Sequence, residues 1–471
     1  MEIPVHIPAP PGDGTAARPD TGRPAPAPIA TSGLSGLTRG GVPLWLPLPF
    51  LLTGALGAAV FGALLPFVVP QALLAPNFPH VLALVHTATL GWLTMTIMGA
   101  SLQLAPVILV SPLRAVRLAR VQYPLYVAGV ALLVSGFWTS HLPLLIVGGV
   151  LVVVAVAHYA VILGTTLSYA RATKGSLPLS AWYLAAALGY LCAVVGLGLT
   201  AALNLQLDFL GAGLSRLLPV HITLGVVGWL TCTLIGVSYT LVRLFALVHE
   251  HPDTLGRRIF VLVNAGVLGL AAGFALGWVL VQVAAGVCLV AAVGLFAFDY
   301  RRMLRLRKRK PLDVTQRHAL AAVGYLVVVV PAGIIVALFG WGRPPIFAAL
   351  GLAVLVGWLG QSIIGYLYKI VPFLIWQARY GPLVGRQKVP LMRDLVHQRA
   401  AALSFWLLNG ALPAALLCAV LGWTAPLQIA SGLLGASLLL AAANVCGVVV
   451  PRRARPAPVS APAPAPASSA S

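Results

Sequence analysis

The stretches GWLTMTIMG (residues 91–99), GWLTCTLIG (228–236) and GWLGQSIIG (357–365) decide the fold of this 471-residue chain. They align without gaps and begin 137 and 129 residues apart. The shared positions are Gly91, Trp92 and Gly99 in the first, Gly228, Trp229 and Gly236 in the second, and Gly357, Trp358 and Gly365 in the third. Each stretch lies in an apolar run long enough to cross a bilayer, which takes about 20 residues. Glycines eight apart on an α-helix fall about 80° past two full turns, so both sit near one face. Small residues there let helices approach closely. Packing explains one such pair; its return at a long, nearly constant interval points to internal repetition.

Working outward, twelve apolar runs fill the sequence: 44–69, 80–108, 122–138, 143–170, 178–203, 218–246, 259–277, 279–299, 318–340, 345–376, 400–422 and 425–450. The motif falls in runs 2, 6 and 10, so the period is four spans. The expected architecture is an all-α polytopic membrane protein of about 12 transmembrane helices. It reads as three pseudo-symmetric four-helix repeats, at about 44–170, 178–299 and 318–450, all in one orientation. This membrane domain (41–450) is flanked by Pro/Ala-rich segments, 1–40 and 451–471, which have no apolar periodicity and read as disordered tails. Composition agrees. Hydrophobic residues make up 60% and charged residues 8%, with a mean hydropathy of +0.97. A soluble domain carries about 25% charged residues, so a soluble enzyme is excluded.

A net charge of +21 would suit a nucleic-acid partner, but its placement argues for topology instead. Of the 30 Lys and Arg residues, all but Arg216 and Arg343 fall in the tails, in the loops after even-numbered spans or, as Arg243 and Lys369 do, near the loop-side ends of those spans, including the run RRMLRLRKRK at 301–310. Basic loops face the cytoplasm. Both termini are therefore expected inside a bacterial cytoplasmic membrane, with the lipid bilayer and no nucleic acid as partner. The five cysteines lie in apolar runs without ligand spacing and read as small buried hydrophobes. The nine acids, Glu250, Asp299 and Asp394 among them, read as tail, loop and helix-end residues. Proton-pumping proteins carry carboxylates inside the membrane, so this distribution argues against pumping. Asn264, Gln361, Tyr366, Tyr368, Asn409 and Asn444 are expected to join helices by hydrogen bonds.

Histidine placement supplies the candidate site. His249, His251, His318 and His397 read as interfacial, and His158 as part of an apolar helix. His80 and His86 open run 2, and His221 opens run 6. An ionisable group in a membrane span is a functional candidate by default, and neutral imidazole is a common ligand of metals and haem iron. His86 precedes its motif by five residues and His221 by seven, so the two are near-equivalents, not strict ones. The third repeat has Leu350 and Leu352 at these places.

Twelve spans, repeats of four, and histidines opening HTATLGWLTMTIMGASLQLAPV and HITLGVVGWLTCTLIGVSYTLVRLF, with GWLGQSIIGYLYKIVPFLIW in run 10, resemble the haem-copper oxidase subunit I superfamily. The likeness is to its divergent bacterial members, termed cytochrome c oxidase subunit I-like. It covers about 44–450 in architecture and these three helices in sequence. The resemblance implies that His86 is a haem ligand and His221 a metal (copper) ligand, with His80 a further cofactor-binding candidate. It also implies respiratory-chain or oxidase subunits as partners. Runs 7 and 10 contain no histidine, so neither a three-histidine copper site nor a full haem pair is expected, and an oxygen reductase is not. The expected function is electron transfer or handling of a diatomic gas at one haem or metal near the outer face. The alternatives are a cofactor-free transporter or channel for a small solute, and a non-catalytic oxidase subunit or assembly factor.

Overall fold

The computed structural model describes residues 42–248, 251–308, 311–339 and 342–451. Both expected tails lie outside the described residues, save for Pro451, as do His249 and Glu250. The described chain is all-helical, with twelve helices long and apolar enough to span a membrane. They are α1 (Pro47–Ala72), α2 (Pro79–Leu109), α3 (Val116–Trp138), α4 (Leu142–Lys174), α5 (Leu179–Leu207), α6 (Gly211–Ala246), α7 (Thr254–Leu276), α8 (Val279–Arg305), α9 (Val314–Ala337), α10 (Pro344–Arg379), α11 (Gln398–Leu421) and α12 (Thr424–Gly447). Each expected run matches one helix. Several helices outlast their apolar run at the basic end: α4 runs to Lys174, α8 to Arg305 and α10 to Arg379. Long basic side chains can lay their stems on apolar surface and keep the charge in water, so helix winding continues past the hydrocarbon.

Three tight links, α3–α4, α7–α8 and α11–α12, share one geometry. Ser140, Gly277 and Gly422 are left-handed, with φ of 54°, 74° and 69°. In each case the next residue's N–H (His141, Trp278, Trp423) donates at 2.9 Å to a carbonyl five residues back (Gly136, Gly273, Cys418). This is the helix-ending turn that satisfies orphan carbonyls.

The three most buried spans are α2, α6 and α10. Each unwinds into a π-helical stretch: Thr87–Thr94, Thr223–Thr231 and Ala353–Gly360. All three stretches end at the fourth position of the GWL motif. The motif tryptophans are buried and link these helices. Trp229 Nε1 donates to Thr94 Oγ1 at 2.9 Å, and Trp358 Nε1 donates to Thr231 Oγ1 at 3.0 Å. The corresponding acceptor for Trp92 would come from residue 360, which is glycine, and Trp92 Nε1 is buried without a partner among the described residues. Trp358→Phe is therefore expected to cost about 1–2 kcal/mol more than Trp92→Phe, because only the former orphans a buried hydroxyl. Apparent melting temperatures of the two variants in detergent measure the difference.

The motif glycines are packing positions. A side chain at Gly99 would meet Phe50 of α1 at 2.6 Å, one at Gly236 would collide with Tyr183 of α5, and one at Gly365 would meet His318 of α9 at 2.8 Å. Seven residues further along those partner helices, Gly57 lies against the Gly91 carbonyl, Tyr190 against Gly228 and Tyr325 against Gly357. α12 then packs along α1, where Gly435 and Gly62 bring the two backbones into contact.

The expected interhelical hydrogen bonds form. Tyr190 donates to Asn264 Oδ1 (2.6 Å, α5–α7), Asn409 donates to Gln361 Oε1 (2.8 Å, α11–α10), and Tyr366 shares a bond with Ser238 (2.8 Å, α10–α6). Tyr368 reaches Ser404 of α11 at 3.4 Å. The cysteines differ from expectation: Cys232 and Cys418 are buried, whereas Cys192 is exposed on the apolar outer surface of α5. Lipid replaces protein packing there, and a thiol is apolar enough for either setting.

Candidate functional site

His86 ends the α-helical first part of α2, one residue before its π-helical stretch, and His221 occupies the matching part of α6. Their rings lie 6.5 Å apart between centroids, tilted by 34°. His86 Nδ1 is 2.8 Å from the Leu82 carbonyl. A carbonyl only accepts, so Nδ1 carries the proton and the Nε2 lone pair is left for a ligand. This backbone contact also fixes the ring, as hydrogen bonds to the other ring nitrogen do for metal-ligating histidines. Phe137 of α3 stacks on the His86 ring at 4.9 Å. His221 packs over Gly198 of α5, where an added Cβ would meet its Cε1 at 3.0 Å. Its buried Nδ1 makes no aligned hydrogen bond among the described residues.

His80 is engaged elsewhere. Its Nδ1 lies 3.3 Å from Gln71 Oε1, and its ring packs on Trp138 at 4.7 Å. The His86–His221 pair suits a single metal centre. At this separation the two imidazoles would be the residues to hold one ion between them. Helix α10 brings leucines, not a third ligand, to this level, and among the described residues no group of three His, Cys, Asp or Glu is placed to hold a metal.

On the basic side of the motifs, α2, α6 and α10 enclose a cavity of about 30 Å³ lined by Thr96, Ala100, Thr233, Val237, Ile363 and Tyr366 among others. That is room for one or two waters.

Three residues expected to be interfacial are buried. Asp299 is not at a helix end, since α8 continues six residues beyond it, and its side chain is fully buried. His251, on the α6–α7 loop, is buried against it with Nε2 2.9 Å from Asp299 Oδ1. His318, at the start of α9, is fully buried between Tyr368 and Phe405. The misreading has one cause. An apolar run stops at a polar or charged residue in sequence, but helices packed around that residue can fold it inward, Asp299 onto a partner and His318 between two aromatic rings. Charge partners on other helices leave no local signal. His158, by contrast, faces outward with Nδ1 on the Val154 carbonyl at 2.8 Å. No protein-family model matches the chain, and no curated protein matches it.

Proposed function

We propose that this multi-pass membrane protein is built like haem-copper oxidase subunit I but carries a reduced ligand set, holding one haem or one metal ion between His86 and His221. The observation that carries this reading is the convergence of the two rings at 6.5 Å from the expected helices. A metal centre there would supply one-electron chemistry or an open position for a diatomic gas. The residues do the rest: Leu82 fixes the His86 tautomer, Phe137 and Gly198 shape the two sides, and the apolar surroundings limit water. His80, committed to Gln71 and Trp138, is left out of the ligand set. The recurrent tryptophan–threonine contacts, glycine contacts and tight links support three parallel repeats of four helices. The basic loops support cytoplasmic termini in a bacterial inner membrane, with redox subunits as partners.

Absorption spectra and metal analysis of the detergent-purified protein test the site. The expected result is about one cofactor per chain, lost in His86→Ala and in His221→Ala and retained in His80→Ala. A wild type with neither Soret absorbance nor bound metal would refute it. Solute flux through that same cofactor-free protein in proteoliposomes would then favour a transporter.

A further inference from the structure

One feature of the basic end recurs three times. Each loop that follows a motif helix is pinned by a polar side chain from the last helix of its group of four. In the α2–α3 loop, the Arg114 N–H donates to Thr166 Oγ1 of α4 at 3.0 Å. In the α10–α11 loop, the His397 N–H donates to Asn444 Oδ1 of α12 at 2.9 Å, and Asn444 Nδ2 donates to the His397 carbonyl at 3.0 Å. In the α6–α7 loop the pin is His251 on Asp299 of α8, at 2.9 Å and off the line of an ideal hydrogen bond. The outer two latches are neutral, whereas the middle one joins two titratable groups. Both of its side chains are fully buried. Tyr239 of α6 donates to the other Asp299 oxygen at 3.0 Å, and His251 Nδ1 is buried without a hydrogen-bond partner among the described residues.

We propose that Asp299 and His251 form an internal proton-binding site whose single proton holds the α6–α7 loop against α8. Two states of the pair are electrically balanced, a carboxylate with an imidazolium and a carboxylic acid with an imidazole. Both contain one shared proton. Removing that proton leaves a buried carboxylate facing a neutral ring, and adding a second leaves a buried imidazolium facing a neutral acid. Either change strands one charge in a low-dielectric site, which is costly unless the latch opens and lets water in. The neighbouring groups do not remove the imbalance. Tyr239 supplies a neutral donor, and Tyr183 of α5 stacks on Tyr239 and donates to the Gly256 carbonyl at 2.9 Å. Tyr300, beside Asp299 on α8, is buried, and Tyr366 of α10 bonds Ser238. The nearby cation, Arg243, is committed to Asp253.

Hydrogen–deuterium exchange of the full-length protein in detergent, read on peptides covering residues 251–257, tests the proposal. After correction for intrinsic exchange, wild-type protection is expected to fall about tenfold or more towards at least one end of a scan from about pH 5 to about pH 10. Asp299→Asn copies the neutral latch of Asn444 and is expected to hold protection level across the scan. A flat wild-type profile, or the same profile in both proteins, would overturn the proposal. Should Asp299→Asn not give monodisperse protein, the double variant Asp299→Asn/His251→Gln, which leaves no titrating group in the latch, is read in the same way. Infrared difference spectra of the wild type give a check without any variant. Either the C=O stretch of a buried carboxylic acid or the ring modes of the imidazole must change in step with the loop's exchange, and the failure of both to do so rejects the shared proton.

Discussion

Gly435→Ala is expected to destabilise the membrane domain by about 3 kcal/mol, the upper end of what an inserted methyl costs in a packed interior. The new Cβ would overlap the carbonyl oxygen of Gly62 on α1. Backbone cannot rotate away as a side chain can, so α12 must lift off α1 along a contact that extends over most of both helices. Between membrane helices such close approach is itself the source of affinity, since lipid and side chains are equally apolar. Gly432→Ala on the same helix is the control, because nothing lies within 4 Å of its added carbon. The monodisperse fraction surviving a heat ramp in detergent is the measurement. Equal losses in the two variants would mean that the α1–α12 contact is not tight.

Gly360→Thr should also destabilise, by about 2–3 kcal/mol, although it writes into the third motif the residue found in the other two. The naive expectation is a gain, since a threonine there would give Trp92 the acceptor that Trp229 and Trp358 already have. The structure says otherwise: a Cβ at Gly360 would overlap Cη2 of the Trp92 ring and crowd the Leu355 carbonyl at 2.8 Å. Trp92 is fully buried and braced by Phe61, so it has nowhere to retreat. Thr231→Val, which puts a methyl in place of the hydroxyl that Trp358 uses, should cost less, about 1 kcal/mol for the lost hydrogen bond. Melting temperatures in one detergent rank the pair, and a Gly360→Thr protein as stable as wild type would show that the ring of tryptophans can close.

Span number and order were legible because hydrophobic runs of this length have one physical solution in a bilayer: a helix with all its backbone groups paired internally. The motif was legible as packing because glycine and tryptophan at fixed spacing describe a contact surface. The meeting of His86 with His221 was legible only as a shared depth; their two-residue offset gave no assurance of contact. Other parts left no trace in the local sequence. The π-helical turns carry no composition of their own. Asp299 and His318 read as interfacial because each lies at the edge of an apolar run, and what buries them is contributed by α6, α10, α11 and the α6–α7 loop. The missing third tryptophan contact was visible as the single letter that separates GWLG from GWLT, but its meaning required knowing which helix each indole points towards.

The packing of α12 along α1 also governs how the chain must be made. Roughly 350 residues separate the end of α1 from the start of α12, which the ribosome supplies in about 20–70 s at 5–20 residues per second. Throughout that interval the Gly62 side of α1 is in the membrane without the neighbour it is shaped for. Helix α1, inserted long before α12, is thus finished only when α12 arrives, and this contact cannot be completed stepwise behind the translocon. Nascent chains halted before Thr424 should leave that side of α1 reachable by lipid-soluble crosslinkers, and release of α12 should close it.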